Sequence, residues 1–376
     1  MTRRGPNEGS IHERWDGRWA GSVHIGYQDG RRVRKHVMGH SRAEVKEKMA
    51  ALMRAHDENR PIPDQREKVG PFLRRWLDEV ARPTIRASTY DSYDDIVAGH
   101  LIPGLGRIAL AKLGPAEVQT FLNAKSASGL SPRRVQYIHA VLRRALVTAE
   151  RWGMVSRNVA KLVDPPRVPK HEISPLTPEQ ARQLIEACVD DRHLALYVTA
   201  LGTGLRQGEL LGLRWEDVDL ETGRLRVRHT LANVKGQLTL LEPKTERSRR
   251  TVMLADAVVT ALRAHRTRQR KERLVSGSRW VDSGHIFTTL HGTPYHAATI
   301  TRAFQAALER AGLPRCRFHD LRHAAATFLL AQGMTLEDVK NLLGHSSITL
   351  TSNTYGHVLE QRQRQVARAM DAVLGG

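Results

Sequence analysis

Hydrophobic and polar positions follow three different rhythms along the chain. Residues 11–39 alternate and are punctuated by glycine, in the runs IHERWDGRW, GSVHIGYQDG and RRVRKHVMG. Period-two alternation predicts short half-buried strands. Asp29-Gly30 between two such runs predicts a tight hairpin, because both residues tolerate the positive φ of that turn. Three strands fit here. Ser41 then supplies a side-chain oxygen for the free amides of a new helix, SRAEVKEKMAALMRAHDENR, with Val45, Met49 and Met53 on one stripe. Trp15, Trp19, Arg31, Arg32, Arg34 and Lys35 decorate the small sheet. A sheet of this kind can lay basic strands in a DNA groove. A solvated charged sheet fits these residues equally well.

After Pro61-Ile62-Pro63, which marks a linker, the rhythm changes to 3.6 residues. VGPFLRRWLDEVA, TYDSYDDIVAGHLI, GPAEVQTFLNAKSA and SPRRVQYIHAVLRRALVTAERWG are expected helices. Ser131-Pro132 is a start signal, since proline is tolerated in a first helical turn. Four helices of this length can bury one small core, with Arg133, Arg134, Arg143 and Arg144 as a basic face. DPPRVPKHEISPL, residues 164–176, holds three prolines in its first six residues and cannot continue a helix. A mixed region follows. TPEQARQLIEACV, RHLALYVTALGTG, HAATITRAFQAALERAG, HDLRHAAATFLLAQG and LEDVKNLLGH are expected helices. RLRVRHTL, GQLTLLE and RRTVML are expected strands.

Composition sharpens this outline. At 376 residues the chain exceeds one ordinary core, so two or three domains are expected. The net charge of +20 and a pI near 10.6 call for a polyanionic partner. The surplus recurs throughout: +5 over residues 1–60, +8 over 61–170 and +7 over 171–376. A basic surplus in every segment suggests that each faces phosphate; a generally arginine-rich proteome is the plainer account. No apolar run approaches a membrane span, and the first residues, MTRRGPNEGS, lack an apolar signal core. Cys188 and Cys316 are too few for a disulfide framework. The expected location is the cytoplasm.

Three stretches carry candidate chemistry. In FHDLRHAAATFLL, a helix places His319, Arg322 and His323 on one side and Leu321, Ala325 and Phe328 on the other. Three cation-capable groups on one face of a buried helix call for an anion. The two histidines also have the spacing of a zinc-binding pair, with Asp320 where a metalloprotease carries glutamate. That alternative gives Arg322 no role, whereas a phosphate would use its two-pronged guanidinium. In GTGLRQGELLGLRWEDV, Arg206 is expected in the first turn of a helix, where its charge and free backbone amides converge on one anion, with Glu209 holding it. In EPKTERSRRTVML, Lys244 is expected at a hairpin tip, able to reach a phosphate and donate a proton. A surface salt bridge and a solvated turn lysine are the ordinary accounts of the last two.

A further oddity is LGHSSITLTSNTYGHV. Tyr355, one of only seven tyrosines, stands in a short polar segment closed by Gly356, with His345 before it and His357 after it. The order Arg206, Lys244, His319-x-x-Arg322, His345 and Tyr355 resembles the tyrosine recombinase (phage integrase) family. The matching segments are TGLRQGELLGLRW, PKTERSRR, HDLRH, LLGHSS and TYGH. All six positions match, over roughly 150 residues.

The resemblance implies a multidomain fold. Residues 1–60 would be a small α+β module for arm-type DNA sites, and 61–164 an all-α core-binding domain. Residues 165–175 would be a linker, and 176–376 a mixed α+β, mainly helical catalytic domain. It implies a site-specific recombinase of the mobile-element integrase type. Tyr355 would be the nucleophile, Arg206 and Arg322 would stabilise phosphate oxygens, and His345 would add a hydrogen bond. Lys244 would protonate the leaving oxygen and His319 would take the tyrosine proton. It implies no metal and no nucleotide cofactor. The partners would be double-stranded DNA at core and arm sites, three further protomers in a homotetramer, and accessory bending or directionality factors. The tail VLEQRQRQVARAMDAVLGG, with Val366, Met370 and Val373 on a partial stripe, would dock on a neighbouring protomer or pack on its own domain. A non-catalytic sequence-specific DNA-binding protein on the same fold is the alternative.

Overall fold

In the computed structural model of the chain, the described residues are 9–28, 31–57, 66–169, 175–242, 249–344, 370–371 and 374. The chain divides into two compact units, Met1–Pro169 and Lys170–Gly376.

The first unit begins with an antiparallel sheet in the order β1 (Ser10–Glu13), β2 (Trp19–Gln28) and β3 (Arg31–Gly39). Gln28 pairs with Arg31; Asp29-Gly30, where the tight hairpin turn is expected, lies outside the described residues. The alternating strands bury one face under α1 (Arg42–Asp57). Val23, Val45 and Met49 form the small core, with Ile11, Trp19, Val37 and Met53 packed on it. Ser41 Oγ accepts the amide of Glu44 at 3.2 Å, and the Glu44 carboxylate accepts the amide of His40 at 2.7 Å. The helix start is thus closed from both sides.

The rest of this unit is helical: α2 (Val69–Arg75), α3 (Ala87–Ile96), α4 (Ile102–Leu105), α5 (Pro115–Ala127) and α6 (Pro132–Arg151). Wider π-type turns at Trp76–Ala81 and Val97–Leu101 extend α2 and join α3 to α4. Phe72, Trp76, Leu77, Ile96, Leu101, Leu122, Ile138 and Leu142 lie in one buried cluster. Ser131 caps α6 by accepting the Arg134 amide at 3.3 Å. Pro61-Ile62-Pro63 lies outside the described residues.

The second unit starts with α7 (Pro178–Glu186), α8 (Leu194–Thr203) and the short α9 (Gln207–Leu211). Two small antiparallel sheets follow. One is β4 (Val218–Asp219), β5 (Arg224–Val227) and β8 (Arg250–Met253); the other is the hairpin of β6 (Thr230–Val234) and β7 (Gln237–Leu241). The run expected as one strand over 224–231 therefore divides at Arg228-His229, and its halves enter different sheets. Then come α10 (Asp256–Ser276), α11 (Ala297–Arg310), α12 (Asp320–Ala331) and α13 (Leu336–Leu343). The 21-residue α10 was not anticipated from the periodicity. Tyr197, Leu210, Leu225, Leu262, Ile286, Phe304 and Leu321 share the main core of this unit. Ala326, Leu330, Val339 and Leu343 form a second cluster that locks α12 to α13. Among the described residues no helix is long and apolar enough to cross a membrane.

Candidate active site

The site is assembled where α8 ends, α12 begins and α13 ends. Gly204 terminates α8 in the left-handed region, φ 61°. Its carbonyl, buried, accepts a hydrogen bond from Arg322 Nη1 at 2.7 Å. Arg322 Nη2 donates to the carbonyl of Leu343 at 2.8 Å, in the last turn of α13. Arg322 is buried, at 3% exposure. A guanidinium carries five N–H donors in a rigid fork, so two carbonyl bonds from two segments fix its plane.

Arg206 follows two residues after Gly204. It occupies the position just before α9, one residue earlier than expected, with extended backbone. Glu209 holds it twice: Oε1 accepts from Nη1 at 2.7 Å and Oε2 accepts from the backbone amide at 3.1 Å. Glu209 is buried while the Arg206 side chain is 40% exposed, so the carboxylate anchors a guanidinium that reaches solvent. Burial acts to raise the Glu209 pKa, but Arg250 and Arg206 together hold it below its ordinary value. It therefore stays ionised between two cations.

His319 stands at the start of α12, and its ring meets His323 edge-to-face, with centroids 5.1 Å apart. Desolvation lowers the pKa of His319, and the charges of Arg322, Arg317 and Arg206 lower it further against the opposing pull of Asp320. His323 is pushed down to about 4, first by desolvation and then by His319. Both imidazoles are neutral at pH 7, which suits a proton acceptor. Asp320 is not available as a metalloprotease-type base. Its oxygens accept the Arg317 amide at 2.7 Å and Arg317 Nη2 at 2.9 Å.

The structure thus brings Arg206, His319 and Arg322 together, with Glu209 as the anchor of Arg206. Lys244, His345 and Tyr355 lie outside the described residues, as does most of the C-terminal tail. Their flanks are described. Glu242 precedes the Lys244 segment and Arg249 follows it, and Gly344 ends α13 with φ 65° immediately before His345. Sequence reasoning missed Arg250, which donates from Nη2 to Glu209 Oε2 at 3.1 Å. Its only sequence signal was its place in PKTERSRR. Another tyrosine has a hydrogen-bonded relay: Tyr295 Oη meets His193 Nε2 at 3.2 Å, and His193 Nδ1 meets Asp191 Oδ1 at 2.9 Å. Tyr295 is only 6% exposed, so that chain is a core polar network that a DNA backbone cannot reach.

Residues 175–362 match the family described as the phage integrase family. Residues 69–126 match the phage integrase N-terminal SAM-like domain. The chain is 30% identical over 363 residues to a tyrosine recombinase XerC-like protein of Caldanaerobacter subterraneus subsp. tengcongensis, covering 92% of this chain and 93% of that protein. It is 30% identical over 430 residues to an integrase of Saccharopolyspora erythraea, covering 99% and 98%. Among solved structures it is similar to the Tn1549 transposon integrase in complex with a circular intermediate DNA. There the identity is 22% and the TM-score 0.68, over 80% of this chain and 99% of that one. It is also similar to a lambda integrase tetramer bound to a Holliday junction, at 19% identity and TM-score 0.58, over 94% and 96%.

Proposed function

The chain belongs to the phage integrase family and is a site-specific recombinase, and on that premise we propose how its residues divide the chemistry. The Tyr355 phenol oxygen attacks a backbone phosphorus of double-stranded DNA. A tyrosine-O–P bond forms and the P–O5′ bond breaks, leaving a 3′-phosphotyrosyl link and a free 5′-hydroxyl. His319 takes the phenol proton and Lys244 gives a proton to the departing 5′-oxygen. Arg206, Arg322 and His345 hydrogen-bond the non-bridging oxygens, where charge accumulates. Fixed donors at such oxygens are the largest single stabilising term, and removing one lowers the rate by about 10²–10³. The reverse attack by another strand's 5′-hydroxyl reseals the backbone, because the phosphotyrosyl bond conserves the phosphodiester energy. The reading needs no metal, nucleotide or redox cofactor.

The observation that carries it is the convergence of Arg206 and Arg322 beside His319, with Arg322 pinned to the carbonyl two residues before His345. A family position for each residue is not enough; a phosphate site needs the two guanidinium groups in one place. Residues 1–60 bind arm sites in this scheme, 61–164 grip the core site and 176–376 cut it, joined by 165–175. Four protomers act on paired sites in the cytoplasm, on nucleoid DNA, with accessory bending or directionality proteins setting the direction. The +20 charge supports grip on phosphate, and affinity should fall steeply with salt as counterions are released.

The test uses a nicked suicide substrate carrying the attachment-site core. Wild type is expected to give a detergent-resistant protein–DNA adduct, and Tyr355→Phe none. An adduct that persists in Tyr355→Phe moves the nucleophile elsewhere. No adduct from wild type on its true site leaves a DNA-binding protein.

A further inference from the structure

Arg250 opens β8, six residues after Lys244, where that segment rejoins the sheet. Its side chain is 8% exposed. A buried guanidinium is tolerated only when its charge and donors are met. Nη2 donates to Glu209 Oε2 at 3.1 Å, and Nε donates to the carbonyl of Leu342 at 2.8 Å. The first bond ends on the carboxylate that anchors Arg206. The second ends on the last turn of α13. Arg322 takes the next carbonyl along, that of Leu343. Two arginines thus hold successive carbonyls at a helix C-terminus, where positive charge is favoured. The turn that follows runs close beside the same group: a Cβ added at Gly344 would lie 3.0 Å from Arg250 Nη1.

We infer that Arg250 is a positioning residue for the reaction, acting through Glu209 on Arg206 and through the end of α13 on the departure point of His345. The inference rests on the roles proposed above for those two residues. One guanidinium joins a carboxylate to a carbonyl that is distant in sequence, so it sets the spacing between two phosphate-facing groups from different segments. Lysine cannot replace it, because a single ammonium nitrogen cannot supply Nε and Nη2 geometry to both acceptors. Arg250 needs no contact with DNA for this.

The experiment compares full-length wild type, Arg250→Lys and Arg250→Ala on the nicked substrate in single turnover, with site affinity measured by gel shift. The expected result is a cleavage rate reduced by about tenfold or more, approaching the loss of a direct donor. Adduct amplitude and site affinity should stay within about twofold of wild type. A merely structural role lowers amplitude, the fraction of competent protein, and leaves the rate of the remainder unchanged. In an Arg206→Ala background the further loss from the Arg250 change should shrink, because one of its two targets is gone. Wild-type rates in both variants, a loss confined to amplitude or affinity, or losses that multiply fully with Arg206→Ala would each overturn the inference. Should Arg250→Ala fail to fold, Arg250→Lys keeps the charge on a single donor nitrogen and carries the same comparison. A wrong nucleophile assignment shows separately, in wild type against Tyr355→Phe.

Discussion

Gly204→Ala adds one methyl group and changes no polar atom, yet it should impair cleavage. Gly204 has φ 61°, a conformation that costs an alanine about 1–2 kcal/mol. Its added Cβ would also stand 2.6 Å from Leu343 Cδ2 and 3.6 Å from the Ala325 Cβ. Leu343 is fully buried against Ala326, Leu330 and Val339, so it cannot swing aside into solvent. Overpacking of this kind costs about 1–3 kcal/mol. Gly236→Ala separates the two terms. It sits at the β6–β7 turn with φ 84° and nothing within 4 Å of the added Cβ, so only the backbone cost applies. The difference in unfolding free energy between the two variants should therefore be about 1–3 kcal/mol.

The functional consequence follows from what Leu343 and Gly204 share. Their carbonyls are the two acceptors that fix Arg322. Forcing the two apart tilts the guanidinium, and on the role proposed for Arg322 the ceiling on the effect is the loss of one phosphate donor, about 10²–10³ in rate. A loss of about tenfold in single-turnover adduct formation is expected for Gly204→Ala, with Gly236→Ala near wild type. Thermal unfolding and the nicked-substrate assay measure both halves. Equal melting shifts in the two variants, with wild-type cleavage in each, would refute the reasoning.

Three other outcomes follow from the same structure. Glu209→Gln removes a buried carboxylate between two arginines and should destabilise the protein by about 3–5 kcal/mol at pH 7. The folded-state pKa of Glu209 lies below 4.5, so its stabilisation is present above that value and lost as pH falls through the folded one; a gap between variant and wild type that stays constant down to pH 3 counts against the pairing. His323 should titrate near 4 and His319 below 6.5 by NMR. The unfolded chain then takes up protons first, stability falls as pH drops from 6.5 towards 4, and the acid limb of cleavage lies below 6.5; midpoints at or above 6.5 exclude this. Gln269→Leu strands the Trp215 indole N–H, which Gln269 Oε1 accepts at 2.6 Å, and the His285 carbonyl, bonded at 3.1 Å. Each orphan costs about 1–3 kcal/mol, so a denaturation midpoint equal to wild type would contradict the network.

Gln269 also shows why α10 escaped sequence reasoning. Its buried positions are Val258, Leu262, His265, Gln269 and Ser276, a helical spacing in which three of the five are polar. His265 Nε2 meets the Ile286 carbonyl at 2.8 Å and Gln269 serves four partners, so most of this polarity is bonded, while His265 Nδ1 finds no partner among the described residues. A hydrophobic period cannot detect a face built largely from hydrogen-bonded polar side chains. The run 224–231 failed differently. Leu225, Val227 and Leu231 keep one period-two phase across the polar run Arg228-His229-Thr230, so that run does not by itself separate two strands, although the chain there leaves one sheet for another.

The candidate site divides along a similar line. His319 and Arg322 were legible because helix geometry fixes residues three apart, and Glu209 because it lies three residues from Arg206. Arg250 was not, since its acceptors lie 41 and 92 residues away. Three of the bonds that bring Arg250 and Arg322 into place end on backbone carbonyls, of Gly204, Leu342 and Leu343. A carboxylate partner leaves a letter in the sequence, but a carbonyl leaves none, because every residue has one. What the sequence retains instead is the conformation that aims the carbonyl, here glycine at 204 and 344, each in the left-handed region. The arginines of this site are therefore specified partly by residues without side chains, and a methyl group at position 204 tests the arrangement more selectively than removing the charge itself.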